Sequence, residues 1–254
     1  MAAYPFARAD QSCVVVDDHA VELVELEPRR LEDSLVRGAD GEVSALGGYC
    51  ESLGIGRDAV PAEATPVLSY GANASPAELS RKLAAHAPGV VVPLVLTAVH
   101  DIDVVYSAHV SPSGGVGAAI QRSPGTVVEM AVAYLGPELL ATIDATEVNY
   151  DRRPLPDLRP PLPGPGPGPG PGVEAYLTKH GCLVLDGDNV ALAAVEAEGR
   201  RLPALRTLDA VEAVRALIAP DRTLEEFVVE NRTDPELARE RTAVLRAGAR
   251  PFAR

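Results

Sequence analysis

A strict Pro-Gly alternation from Gly164 to Gly172, entered through a proline-rich stretch beginning at Pro154, sets the first limit on this chain. Proline fixes its own φ and has no N–H, and glycine is the most permissive residue, so neither a helix nor a sheet strand persists through such a run. Residues 154–172 therefore read as a surface loop or linker with no core of its own, with recognition as an extended segment the lesser option. Packed elements must lie on either side. The chain from Gly172 onward then forms either a separate domain or the continuation of the one that precedes the tract.

The 254 residues suffice for one large domain, or for one domain with extensions. No apolar run is long enough for a membrane span, and the start, Met1-Ala-Ala-Tyr-Pro-Phe-Ala-Arg8, lacks the apolar stretch of a secretory signal. A cytoplasmic protein without a membrane partner is expected. A formal net charge of −13 argues against nucleic acid or anionic lipid as a partner and reads as general solubility. Cys13, Cys50 and Cys182 are odd in number, far apart and without metal-ligand spacing, so reduced, partly buried thiols are expected, with no metal and no cofactor. The five histidines are scattered, and His100 and His109 read as structural residues.

Before the tract, Cys13-Val-Val-Val-Asp17 and the alternating His19–Leu26 read as strands, with one short helix between Asp33 and Gly56. Thr65-Pro-Val-Leu-Ser-Tyr-Gly-Ala-Asn-Ala-Ser-Pro-Ala-Glu-Leu79 reads as a strand, a glycine turn and a helix over 76–87. Ser75 is expected as N-cap, Pro76 as first helical residue and Glu78 as the capping-box partner. A tight turn that feeds a helix start leaves backbone N–H groups outward, which suits a carboxylate or phosphate. Val90–Leu96 reads as a connection into the sheet and Asp101–Ser107 as a strand. Val116–Ile120 and Thr126–Tyr134 read as two strands around a Ser123-Pro-Gly125 turn. Pro137 sits in the first turn of a helix that runs through Ile143. After the tract, 175–195 reads as strands with a hairpin at Asp186-Gly-Asp-Asn189, and Thr207, Thr223 and Asp234 each open a helix.

Leu68 to Tyr150, about a third of the chain, resembles the gamma-glutamylcyclotransferase-like family. The likeness rests on three pieces in order. They are Tyr70-Gly-Ala-Asn73, similar to that family's Tyr-Gly-Ser-Asn turn; the glycine-rich segment Gly115–Tyr134 with its Ser-Pro-Gly; and Leu139–Glu147, which ends in an Asp-x-x-Glu signature at Asp144 and Glu147. The resemblance implies an α+β fold, a small mixed β-barrel with surrounding helices. Residues 65–200 would form the barrel domain, interrupted by the 154–172 insertion loop. Residues 1–64 would be an N-terminal extension and 201–254 a helical C-terminal extension. The chain departs from the pattern at Ala72, where the family often has serine, and at Ala74, Val148 and Asp151-Arg-Arg-Pro154.

The implied reaction cyclises a gamma-glutamyl amine or amino acid to 5-oxoproline and releases the amine. The attack is intramolecular, so the protein's task is to fold the glutamyl chain and manage protons. Glu147 is the expected general acid/base. Tyr70, Gly71, Ala72 and Asn73 are expected to hold the substrate through backbone N–H groups, and Tyr150 to line the pocket. Tyr106 reads as packing, and Arg152 and Arg153 as solvated loop charges. The alternative is a non-catalytic member of the same fold that binds a small carboxylate or a protein partner. The identity of the amine and the oligomeric state have no signal in the sequence.

Overall fold

The computed structural model describes residues 6–158, 160–161 and 172–253. The Pro-Gly loop expected at 154–172 falls mostly outside the described residues. The chain forms two compact units, one of residues 6–99 and 129–176, the other of residues 100–128 and 177–253.

In the first unit, β1 (Cys13–Val16), β2 (His19–Glu25), β3 (Leu35–Arg37) and β4 (Val43–Ala45) pair as successive antiparallel neighbours. The unbroken apolar run of β1 makes a fully buried strand, whereas β2 buries Val21 and Leu23 alone, as its alternation requires. The short helix α1 (Leu46–Ser52) follows, then β5 (Thr65–Ser69) and α2 (Pro76–Leu83), the latter extended by a 3-10 turn at Ala84–His86. Two 20-residue strands, β6 (Val91–Val110) and β7 (Val116–Leu135), contribute to both units. The helix α3 (Pro137–Thr146), strand β8 (Tyr150–Leu155) and the first four residues of β9 (Val173–Thr178) complete the first unit. β8 and β9, on either side of the Pro-Gly tract, are sheet neighbours.

The strand order is β4-β3-β2-β1-β6-β7-β5-β9-β8, and the path does not close. The expected small barrel is instead an open, mostly antiparallel sheet in an α+β fold. Its two ends explain why: β4 has only three residues, and β8 carries Arg152, Arg153 and Pro154, whose missing N–H suits an edge.

Three further expectations change. Val90–Leu96 is the first half of β6, not a connection, and Ser123-Pro-Gly125 lies inside β7, not at a turn. Gly125 (φ 82°) donates its N–H to the Asp101 carboxylate at 2.8 Å, and Asp101 is itself left-handed (φ 59°). This bulge-like pair lets β7 continue past a proline. Ser75 precedes Pro76 as expected but makes no side-chain cap bond, so that capping box is absent. Ser75 is buried at the end of a 3-10 turn, and Glu78 is held by Arg81 at 2.8 and 3.1 Å.

The second unit carries the hairpin of β10 (Val184–Leu185) and β11 (Asp188–Asn189). Its two-residue loop, Asp186 and Gly187 at φ 51° and 92°, has the type I′ geometry expected of an Asp-Gly pair. β12 (Ala191–Leu192), β13 (Ala197–Glu198) and β14 (Ala204–Leu205) are short additions, β12 beside β6 and β13 beside β7. The helices α4 (Thr207–Ile218), α5 (Leu224–Thr233) and α6 (Pro235–Ala247) end the chain. Here the expected capping box forms: Thr223 and Glu226 exchange bonds in both directions. Among the described residues no helix is long and apolar enough to cross a membrane. The three cysteines are fully buried rather than partly so, and burial pushes Cys13 and Cys50 up to about 11 and Cys182 to about 12.

His109, 2% exposed, bonds Ser107 Oγ through Nδ1 at 2.7 Å and lies 5.1 Å from the His180 ring. Burial, reinforced by His180, lowers it from the ordinary 6.5 to about 3. Unfolded, the same imidazole takes its proton near 6.5, so between these values the unfolded state binds more protons. Stability from this group is whole above pH 6.5 and falls as pH drops towards 3, by up to about 1.4 kcal/mol per pH unit. Urea unfolding of the native chain and His109→Gln between about pH 7 and pH 5 checks this. The native midpoint should fall more steeply with acid, and equal slopes would refute the assignment.

Candidate active site

The site is built at the junction of α2 and α3 in the first unit. Leu79 and Leu83 of α2 join Leu139, Leu140 and Ile143 of α3 over the sheet residues Val67, Val92, Ala131 and Ala133. The three-to-four residue spacing on the helices and the two-residue spacing on β7 put these side chains on facing surfaces. That packing fixes the polar residues beside it.

Asn73 lies in a 3-10 turn, Ala72–Ala74, immediately after β5. Lys82 lies in the last turn of α2, and Glu147 is the C-cap of α3. Their side chains close a ring. Asn73 Nδ2 donates to Glu147 Oε1 at 3.1 Å, Lys82 Nζ donates to the same oxygen at 2.8 Å, and Lys82 Nζ donates to Asn73 Oδ1 at 2.7 Å. The Lys82 and Glu147 side chains are 11% and 14% exposed, so the pair is largely withdrawn from solvent. Glu147 Oε2 accepts no hydrogen bond among the described residues. A carboxylate at a helix C-terminus faces the negative end of the dipole, and the Lys82 ammonium offsets that repulsion.

A second network braces the same end of α3. Asp144, one turn before Glu147, receives both arms of Arg152 at 2.9 and 3.0 Å and the Tyr176 hydroxyl at 2.7 Å. Arg152 also reaches Glu174. The Arg152 guanidinium holds the Asp144 carboxyl below its ordinary range, and burial with Asp144 beside it pushes the Tyr176 hydroxyl up. Tyr70 donates its hydroxyl to the Tyr176 carbonyl, which ties the turn to the same brace.

Of the residues expected at the site, Asn73 and Glu147 are in contact. Tyr70 is buried with its hydroxyl on backbone rather than in water. Gly71 has φ −112°, so the turn does not use the positive φ that glycine permits. The N–H groups of Gly71, Ala72 and Asn73 donate no hydrogen bond among the described residues, whereas those of Ala74 and Ser75 are used within the turn. Tyr150 packs against the core edge, and its N–H bonds the Glu147 carbonyl at 2.9 Å. Tyr106 belongs to the other unit, fully buried, with its hydroxyl on the Leu205 carbonyl. Arg153 is an exposed charge beside Asp151, but Arg152 is a bracing residue and not a solvated loop charge.

Sequence reasoning missed Lys82, and with it the ring. One signal was available: Lys82 is one of two lysines among 23 basic residues. Tyr176, beyond the Pro-Gly tract, carried none.

A cavity of about 650 Å³ in the same unit is lined by residues that include Asp58, Pro61, His86, Pro88 and Gly136–Leu139. It lies at the N-terminal end of α3, whereas Glu147 caps the other end about 15 Å along the helix. Glu147 is not in its lining. Carboxylate and turn therefore meet directly rather than across this cavity. Among the described residues no group of three or more His, Cys, Asp or Glu side chains is placed to hold a metal ion.

Neither a protein-family model nor a curated protein sequence matches the chain. A solved structure described as "Gamma-glutamyl cyclotransferase" is similar at 17% identity and a TM-score of 0.34, over 46% of this chain and 68% of its own. An uncharacterized protein from Homo sapiens is similar at 18% identity, with the same TM-score and coverage. Likeness at this level assigns no activity.

Proposed function

We propose that the chain cyclises gamma-glutamyl compounds to 5-oxoproline, with Glu147 as general acid/base. The observation that carries this reading is the contact of the Glu147 carboxylate with Asn73 of the Tyr70–Asn73 turn, beside three N–H groups that donate no hydrogen bond among the described residues. On this reading the proton acceptor and the anion-binding donors serve the same substrate.

The chemistry uses those two parts. Glu147 takes a proton from the substrate's α-ammonium. The freed amine attacks the side-chain carbonyl carbon, a C–N bond forms, and negative charge develops on the carbonyl oxygen near the turn's N–H groups. As the C–N bond to the leaving amine breaks, Glu147 returns its proton to that nitrogen, then takes the second proton shed by the ring nitrogen and passes it to the departing amine. In the net reaction two protons of the α-ammonium end on the leaving nitrogen, and the carboxylate is regenerated. Ala72 supplies no hydroxyl, so backbone donors alone carry the oxyanion.

The test is 5-oxoproline release from a panel of gamma-glutamyl amino acids, gamma-glutamyl amines and glutathione. Release from at least one is the expected result, and release from none by the folded chain would overturn the reading. The Lys82 contact favours a second reading, because Glu147 rests already ion-paired. On that reading the turn and Lys82 bind a small carboxylate without turnover, and titration calorimetry with 5-oxoproline and glutamate would show binding where the panel shows no release.

A further inference from the structure

We infer that Lys82 and Glu147 together read the α-amino-acid head of the substrate, Lys82 binding the α-carboxylate while Glu147 binds the α-ammonium; this rests on the cyclotransferase reading. At rest the two side chains satisfy each other at 2.8 Å. A zwitterionic head, with its own ammonium and carboxylate on one carbon, presents the complementary pair of charges, so one internal ion pair is exchanged for two intermolecular ones.

Three features of the ring fit this exchange. Lys82 Nζ has three protons and spends two, on Asn73 Oδ1 and Glu147 Oε1; among the described residues its third has no acceptor and can serve a ligand oxygen. Among the described residues Glu147 is bonded through Oε1, which leaves Oε2 for an ammonium. Asn73 bonds both partners, Oδ1 to the ammonium and Nδ2 to the carboxylate, and holds them in register while the substrate enters. At a site whose nearest fixed anion is Glu147, an α-carboxylate without Lys82 would meet a like charge in a largely desolvated place. The specificity that results is for a free α-amino-acid head, and N-(4-aminobutyryl) amides, which keep the amine and the carbonyl but lack the carboxylate, are disfavoured.

The experiment compares kcat/KM for the best panel substrate with that for its 4-aminobutyryl counterpart, which would cyclise to 2-pyrrolidinone. The native chain should favour the gamma-glutamyl compound by roughly 10- to 100-fold, the range of one charge-assisted bond. Lys82→Gln should shrink that ratio by about tenfold or more, chiefly by raising KM for the gamma-glutamyl compound. Lys82→Arg, which keeps the charge, should retain most of it. Circular dichroism of each variant establishes the fold. An unchanged ratio in folded Lys82→Gln overturns the role of Lys82 while leaving the cyclotransferase reading intact. A native chain that releases nothing from any substrate overturns both.

Discussion

Glu147→Gln is expected to lower kcat for 5-oxoproline release by about 10²–10⁴-fold, the range of a lost general acid/base. The substitution is close to isosteric. Its amide oxygen can occupy the position of Oε1 and accept from Asn73 and Lys82, which now stand 3.1 and 2.8 Å away. The ring therefore keeps its shape, and the variant loses the capacity to take a proton. Glu147→Asp separates proton transfer from placement. It keeps the carboxylate but withdraws it by one methylene from a ring closed by 2.7–3.1 Å contacts, and a displacement of about 1 Å at a reacting group costs on the order of 10²-fold. The two variants are compared by single-turnover release of 5-oxoproline, with thermal unfolding to show that both are folded. Native-like turnover in Glu147→Gln would remove Glu147 from the proton path, whatever the substrate.

How far the sequence led depends on where each signal sits along the chain. The capping motif at Thr223, the hairpin at Asp186-Gly187 and the start of α3 at Pro137 are local, set by residues within one turn of each other, and each forms as read. The Ser75 box failed because its rival is also local but invisible in a motif: Arg81, one turn on, takes Glu78. Ser123-Pro-Gly125 reads as a turn because proline and glycine usually end strands. The carboxylate that lets the strand continue, Asp101, lies 24 residues earlier. Closure of a sheet depends on what its edges can pair with: Arg152, Arg153 and Pro154 suit β8 to an edge once it is known to be a strand, whereas the side chains of β4 carry no such mark. The site divides the same way. Tyr70–Asn73 and Glu147 stand in motifs, whereas Lys82 is ordinary in its own helix and acquires meaning only when α3 packs beside α2. Tyr176 enters from the far side of a tract that no local pattern can bridge.

In the second unit the largest effect on stability is expected from Arg200→Ala. Asp103, on β6, is wholly buried, and Arg200 meets it with a fork: Nε to Oδ2 and Nη2 to Oδ1, both at 2.8 Å. Arg200 also donates to the Val195 carbonyl at 2.7 Å, which fixes the loop that carries it. Removing the arginine leaves a carboxylate at 0% exposure with only the Val104 N–H, at 2.8 Å, still bonded to it among the described residues. The expected loss is about 3–5 kcal/mol, the cost of an uncompensated buried charge. Asp103→Ala should cost less, because the Arg200 side chain is 13% exposed and its guanidinium can reach water. The double variant distinguishes the worth of the pair from the penalty of half of it. If the penalty dominates, Asp103→Ala with Arg200→Ala should be more stable than Arg200→Ala alone, a non-additive result that urea unfolding of the four proteins would register. A loss under about 1 kcal/mol in Arg200→Ala would place the pair with surface ion pairs and contradict its burial.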